Sequence, residues 1–197
     1  MGTENPDWLT KFLSSFADTG YKPKEFPGHE GDLQQGRLDI IDSITTDYFV
    51  MCDPDDFVNV SVMEKAVDFL EQNEGYAICF ARELYWDRFG KITSVQNNRP
   101  FSLDRLKCSP MELHNATVFR TSMVKEAVEL MGDLKFIRFD WALRLIIANL
   151  HPVNKLSEIG GAYRFHDDGC RDLDSEASSQ VIGKHETVAA LIQHGLI

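Results

Sequence analysis

Apolar positions in this chain fall into two kinds of run. Some recur every three or four residues, the spacing of one helix face. Trp8, Leu9, Phe12, Leu13 and Phe16 predict a helix over 7–16, and Leu38, Ile41 and Ile44 predict another over 33–44. The same spacing predicts helices over 61–72, over 122–131 with Gly132 as a stop, and over 139–150. A polar helix over 174–196 carries Val181, Val188, Leu191 and Ile192 on its apolar face. The other runs are short and unbroken, as in buried strands: 47–52, 76–82, 116–119 and 159–165. Residues 21–31, with Pro23, Pro27, Gly28 and Gly31, read as loop. Residues 83–106 mix aromatics with Gly90 and Pro100 and read as a hairpin or an excursion near a ligand face. Strands alternating with helices predict an α/β sandwich. No repeat or linker divides residues 1–197, so a single domain is expected.

One strand ends in an unusual way. The context DYFVMCDPDDFVNVSVMEKAVDFL delivers Asp53, Asp55 and Asp56 between a strand's C-terminal end and a helix. In open α/β sheets that edge is where ligands bind. Three carboxylates within four residues repel one another unless a cation or hydrogen-bond donors satisfy them. An oxygen-rich cluster suits a hard divalent ion such as Mg²⁺ or Mn²⁺. An Asp-rich turn that caps the following helix is the competing reading.

Bulk properties narrow the field. The chain has 197 residues, enough for a real core, with 43% hydrophobic and 26% charged residues. A formal net charge of −11 argues against non-specific nucleic-acid binding and fits a site that recruits metal ions. No apolar run approaches the roughly 20 residues of a membrane helix. The polar start MGTENPDWLTKF carries no secretory signal, so a cytoplasmic protein is expected. Cys52, Cys79, Cys108 and Cys170 are widely spaced with no CxxC pair, which predicts a reducing compartment and no zinc site.

Several separated segments together resemble glycosyltransferase family 2, of GT-A fold. Arg37 opens RLDIIDSITTDYFVMC and stands 16 residues before Asp53, although Leu38 replaces the family's Asn. Phe119-Arg120 precedes a helix. Phe139-Asp140-Trp141-Ala142-Leu143-Arg144 matches an acidic motif followed by Leu-Arg, with Phe139 in place of a Glu. Tyr163-Arg164-Phe165-His166 matches a Tyr-Arg-x-His motif. These segments span about two-thirds of the chain. The family's first strand has no counterpart before Trp8, and YKPKEFPGHEG is a poor second strand. The resemblance therefore implies an α/β, three-layer α/β/α GT-A-like fold with an incomplete N-terminal nucleotide-binding half.

The resemblance also implies roles. The donor would be a nucleotide-diphospho-sugar, and the acceptor a saccharide or a lipid-linked glycan, with room for a peripheral membrane partner or a homodimer. Asp53, Asp55 and Asp56 would hold donor and metal, with Asp55 the main ligand and His166 completing the shell. Arg37 would contact the diphosphate. Asp140 would act as general base, inverting the anomeric carbon; a helix-dipole carboxylate is its structural alternative. His114, Trp86 and Trp141 are candidate acceptor contacts, with core packing the alternative for both tryptophans. Two other functions compete: a non-catalytic saccharide- or partner-binding relative, and a phosphatase whose nucleophile follows a strand as Asp-x-Asp. The phosphatase pattern fails at Phe57 and again after Gly132-Asp133, where a second Asp is missing.

Overall fold

The computed structural model describes residues 32–53, 56–87, 91–164, 182–183 and 185–197. The elements follow in the order α1 (Leu33–Ser43), β1 (Tyr48–Val50), β2 (Phe57–Val58), α2 (Val60–Gln72), β3 (Ile78–Trp86) and β4 (Ile92–Val95). After these come α3 (Leu103–Cys108), a 3₁₀ turn at Pro110–Glu112, β5 (Thr117–Arg120), α4 (Thr121–Met131), α5 (Phe139–Leu150), β6 (Val153–Arg164) and α6 (Thr187–Gln193). The expected helix over 7–16 and loop over 21–31 lie outside the described residues.

Period-two alternation along β3 builds both cores. Ile78 and Phe80 face one layer, where Ile41 of α1, Val124 and Ala127 of α4, and Leu143, Ile146 and Ile147 of α5 pack. Cys79 and Ala81 face the other, against Val62, Met63, Ala66 and Leu70 of α2. Helices therefore cover both faces, as the three-layer expectation requires. The sheet runs β1-β5-β3-β6-β2, with β4 folded back as a hairpin on β3. Among the described strands, β3–β6 is parallel and the other pairs are antiparallel.

Two contacts lock the layers. Arg120 donates to the carbonyls of Leu70 (2.6 Å) and Tyr76 (3.1 Å) and to the Tyr48 hydroxyl (3.0 Å), tying the end of α2 to β1. On β6, Gly160 lets the strand sit directly on α2, where an added Cβ would lie 2.5 Å from that of Ala81.

The helices over 122–131 and 139–150 form within one residue of expectation, and Gly132 ends α4 at φ 57. Three elements differ. The strand expected over 159–165 starts at Val153, because its polar first half is fixed by pairing with β3. The strand expected over 76–82 runs from Ile78 to Trp86, and of the two readings of 83–106 its first part takes the hairpin, β3 pairing antiparallel with β4. A two-residue strand, β2, follows the acidic turn and pairs with Gly161 and Ala162. Of the tail helix expected over 174–196, only Thr187–Gln193 forms helix (α6); Ile182 instead pairs as a β-bridge with Phe136, and residues 174–181 and 184 lie outside the described residues. Among the described residues, no helix is long and apolar enough to cross a membrane.

Candidate active site

Helix α1, the end of β1 and helix α5 enclose a pocket of about 490 Å³. Arg37, Cys52, Asp53, Asn115, Asp140 and Arg144 line it. Arg37 is one turn inside α1, whose N-terminus is capped by Asp32 accepting the Gln35 N–H. Asp140 stands in the first turn of α5, and Arg144 lies four residues later on the same face. Arg37 Nη1 approaches Asp140 Oδ1 at 3.2 Å, and Arg144 Nη1 approaches Asp140 Oδ2 at 3.2 Å. Arg37 Nη2 also reaches to 3.9 Å from Asp53 Oδ1. Thus Arg37, Asp53 and Asp140, all expected site residues, meet in one place.

Burial pushes the Asp140 carboxyl up, but the Arg144 and Arg37 guanidiniums outweigh it, helped by His114 and the Trp141 N–H. The net result lies below the ordinary carboxylate value. Arg144 is itself buried, which lowers its guanidinium, and Asp140 is its main counter-charge. Its Nε has no hydrogen-bond partner among the described residues.

The acidic turn divides. Asp53 is open, its side chain 55% exposed at the pocket. Asp56 turns inward and is 1% exposed. It accepts the Arg164 N–H at 2.8 Å and a hydrogen bond from Asn115 Nδ2. Asp56 was expected to hold donor; the structure instead makes it a buried strut, because β2 pairing aims it under the sheet edge. Asp55 and His166 lie outside the described residues.

The acceptor candidates separate too. Trp141 is 7% exposed and its Nε1 donates to the Leu106 carbonyl at 2.8 Å, so it belongs to the core and offers no face to a sugar. Trp86 ends β3 rather than standing on a loop, and packs on Phe57 and the Arg164 guanidinium. His114 is half-buried against Tyr163, with Nδ1 3.5 Å from Glu83 Oε2. Glu83 is 1% exposed and accepts the Ala116 N–H at 2.8 Å. Arg144, Asn115 and Glu83 were not expected as site residues. Arg144 had two signals, its place in the Leu-Arg motif and its i, i+4 spacing from Asp140; Asn115 and Glu83 carried none.

Among the described residues, no group of three His, Cys, Asp or Glu side chains is arranged around a metal position. Asp53 presents a single open carboxylate at the pocket. That fits a hard ion held by one or two carboxylates together with substrate phosphates and water.

A family model described as glycosyl transferase family 2 matches residues 5–132. No curated protein sequence matches. Among solved structures, residues 1–349 of S. aureus TarS in complex with UDP superpose with a TM-score of 0.53 at 13% identity, covering 79% of this chain and 47% of that one. The same segment in complex with UDP-GlcNAc gives 0.51 at 13%, covering 83% and 48%. A structure of S. aureus TarS gives 0.52 at 13%, covering 79% and 28%. The chain therefore spans less than half the length of these structures, and the likeness is one of GT-A-like fold.

Proposed function

This chain belongs to glycosyl transferase family 2, and we propose that it transfers a sugar from a nucleotide-diphospho-sugar to a hydroxyl of a saccharide or lipid-linked acceptor. The observation that carries this reading is the convergence of Arg37, Asp53, Asp140 and Arg144 on one pocket. Family membership supports a nucleotide-sugar donor, and the UDP complexes of TarS favour uridine diphosphate as the leaving group.

In this reading Arg37 binds the diphosphate, and Asp53 with Asp55 holds Mg²⁺ or Mn²⁺. When bound, the metal supplies charge stabilisation to the departing diphosphate. Asp140 is the general base. It is held ionised by Arg144 and Arg37, and takes the acceptor proton as the acceptor oxygen attacks the anomeric carbon. Attack opposite the leaving group inverts that carbon. Once Arg37 engages phosphate, Asp140 Oδ1 is released for the acceptor, while Arg144 keeps the carboxylate in place. His114, beside Asp140 and Tyr163, is the acceptor-side contact.

A second reading has one observation in its favour. Both Asp140 oxygens carry a guanidinium, as in a structural ion cluster of a non-catalytic saccharide- or partner-binding relative. A thermal-shift titration with UDP and GDP, with and without Mn²⁺ or Mg²⁺, separates the two. Metal-dependent stabilisation is the expected outcome. No response to either nucleotide would sink the catalytic reading.

A further inference from the structure

The pocket depends on two helices, α1 and α5, that are far apart in sequence. Something must set their spacing, because Arg37 and Asp140 meet across it. Residues 134–137, just before α5, are paired on both sides like a strand inside a sheet. On one side the backbone of Ile182 takes part: Ile182 N–H donates to the Lys135 carbonyl at 2.8 Å, and Ile137 N–H donates to the Ile182 carbonyl at 3.0 Å. On the other side the partner is a side chain. Gln34 Nε2 donates to the Leu134 carbonyl at 2.8 Å, and Gln34 Oε1 accepts the Phe136 N–H at 2.8 Å. One carboxamide thus satisfies the two backbone groups that Ile182 leaves over. The Asp32–Lys135 ion pair, at 2.9 Å, lies alongside.

Gln34 is only 8% exposed, so neither of its hydrogen bonds is replaced by water without cost. It sits one helical turn before Arg37, on the same side of α1. Phe136, which it holds, stands four residues before Asp140. The carboxamide therefore ties the turn of α1 that precedes Arg37 to the residues that lead into the helix carrying Asp140.

We infer that Gln34 is a positioning residue for the donor site, holding the loop before α5 against α1 so that Arg37 meets Asp140. Its carboxamide needs both a donor and an acceptor, which neither Glu nor Leu supplies. The inference rests on the proposed donor site, and it is tested by coupling rather than by loss alone. UDP affinity with Mn²⁺ is measured by calorimetry in Gln34→Leu, Arg37→Ala and the double variant, with melting temperature followed in each. The expected result is a weakening of about tenfold by Gln34→Leu in the native background and less than about twofold when Arg37 is already Ala. The loss of melting temperature is expected to match in both backgrounds. Equal weakening in the two backgrounds would reduce Gln34 to a general stabiliser and overturn the inference. A crystal structure of Gln34→Leu gives a second readout, independent of nucleotide. The expected Arg37 Nη1–Asp140 Oδ1 separation exceeds 4 Å, and an unchanged 3.2 Å overturns the claim. Absence of UDP binding by the native protein would count against the donor reading, while the crystal structure still decides the positioning role.

Discussion

The Asp56 carboxylate accepts the backbone N–H of Arg164, 108 residues later, at 2.8 Å. The same carboxylate holds Asn115. Three aspartates that look alike in sequence therefore include one that is part of the scaffold. Asp56→Ala leaves the buried Asn115 amide and the part-buried Arg164 N–H without their acceptor and is expected to cost about 2–4 kcal/mol, read as a lower urea midpoint at unchanged slope. Asp53→Ala, at an exposed position, is expected to change stability by less than about 0.5 kcal/mol. Its effect should appear instead in metal-dependent UDP binding. Equal stabilities for the two variants would refute the division.

Asp140 ties pH to stability. Its folded carboxyl lies below the ordinary value of 3.8, because Arg144 and Arg37 outweigh burial. A depressed carboxyl stabilises the fold fully above the unfolded value and loses that contribution as pH falls through the folded one. Native stability is expected to be flat in this respect above pH 5 and to fall steeply below 3.8. Asp140→Asn removes that part of the acid slope. It also strands the buried Arg144, so a loss of about 3 kcal/mol at neutral pH is expected. Transfer should vanish in the folded fraction. Acid titrations of both proteins by circular dichroism read the slope, and an identical slope would show that the pair is not coupled to folding.

The cysteines offer a chemical test of the pocket. Burial pushes the Cys79 thiol up to about 11, so it should stay unlabelled by a thiol reagent at pH 8 until the protein unfolds. Cys108 is exposed and should react at once. Cys52 lines the pocket, and its labelling should slow when UDP and Mn²⁺ are added. Mass spectrometry after timed labelling distinguishes the sites. Cys52 labelling unaffected by a nucleotide that demonstrably binds would move the donor elsewhere.

Close packing of β6 on α2 predicts a sharp glycine dependence. Gly160→Ala forces a Cβ against Ala81 and Met63, and should destabilise by about 1–3 kcal/mol. Gly75→Ala, with nothing within 4 Å of the added atom, is the control and should be near neutral. Denaturant midpoints decide.

The parts of the fold readable in sequence are those whose own side chains define them. Helix α5 announces itself through Leu143, Ile146, Ile147 and Leu150, and α4 ends where Gly132 takes a positive φ. The first half of strand β6 does not, because Asn154, Lys155 and Glu158 are polar and that half exists through its register with β3. Site residues follow the same rule. Asp53 was legible as a carboxylate at a strand's C-terminal end, and Arg37 and Asp140 through the motifs that resemble the family. The inward turn of Asp56 and the buried Glu83 were not, since their direction comes from partners at Arg164, Asn115 and Ala116. Trp141 has the composition of a sugar platform, yet packing against Leu106 decides its place.

The order of synthesis gives the β2–β6 pairing a temporal meaning. Asp53 and Asp56 leave the ribosome early, but β2 has its sheet partners only at Gly161 and Ala162. Central strand β3 likewise waits for its parallel neighbour β6. Contacts this distant form late, after the cost of closing a long loop has been met. Until Gly161, Ala162 and Arg164 are made, the chain lacks the partners that turn Asp56 inward. A stop anywhere before Arg164 would leave Asp56 as open as its neighbour Asp53.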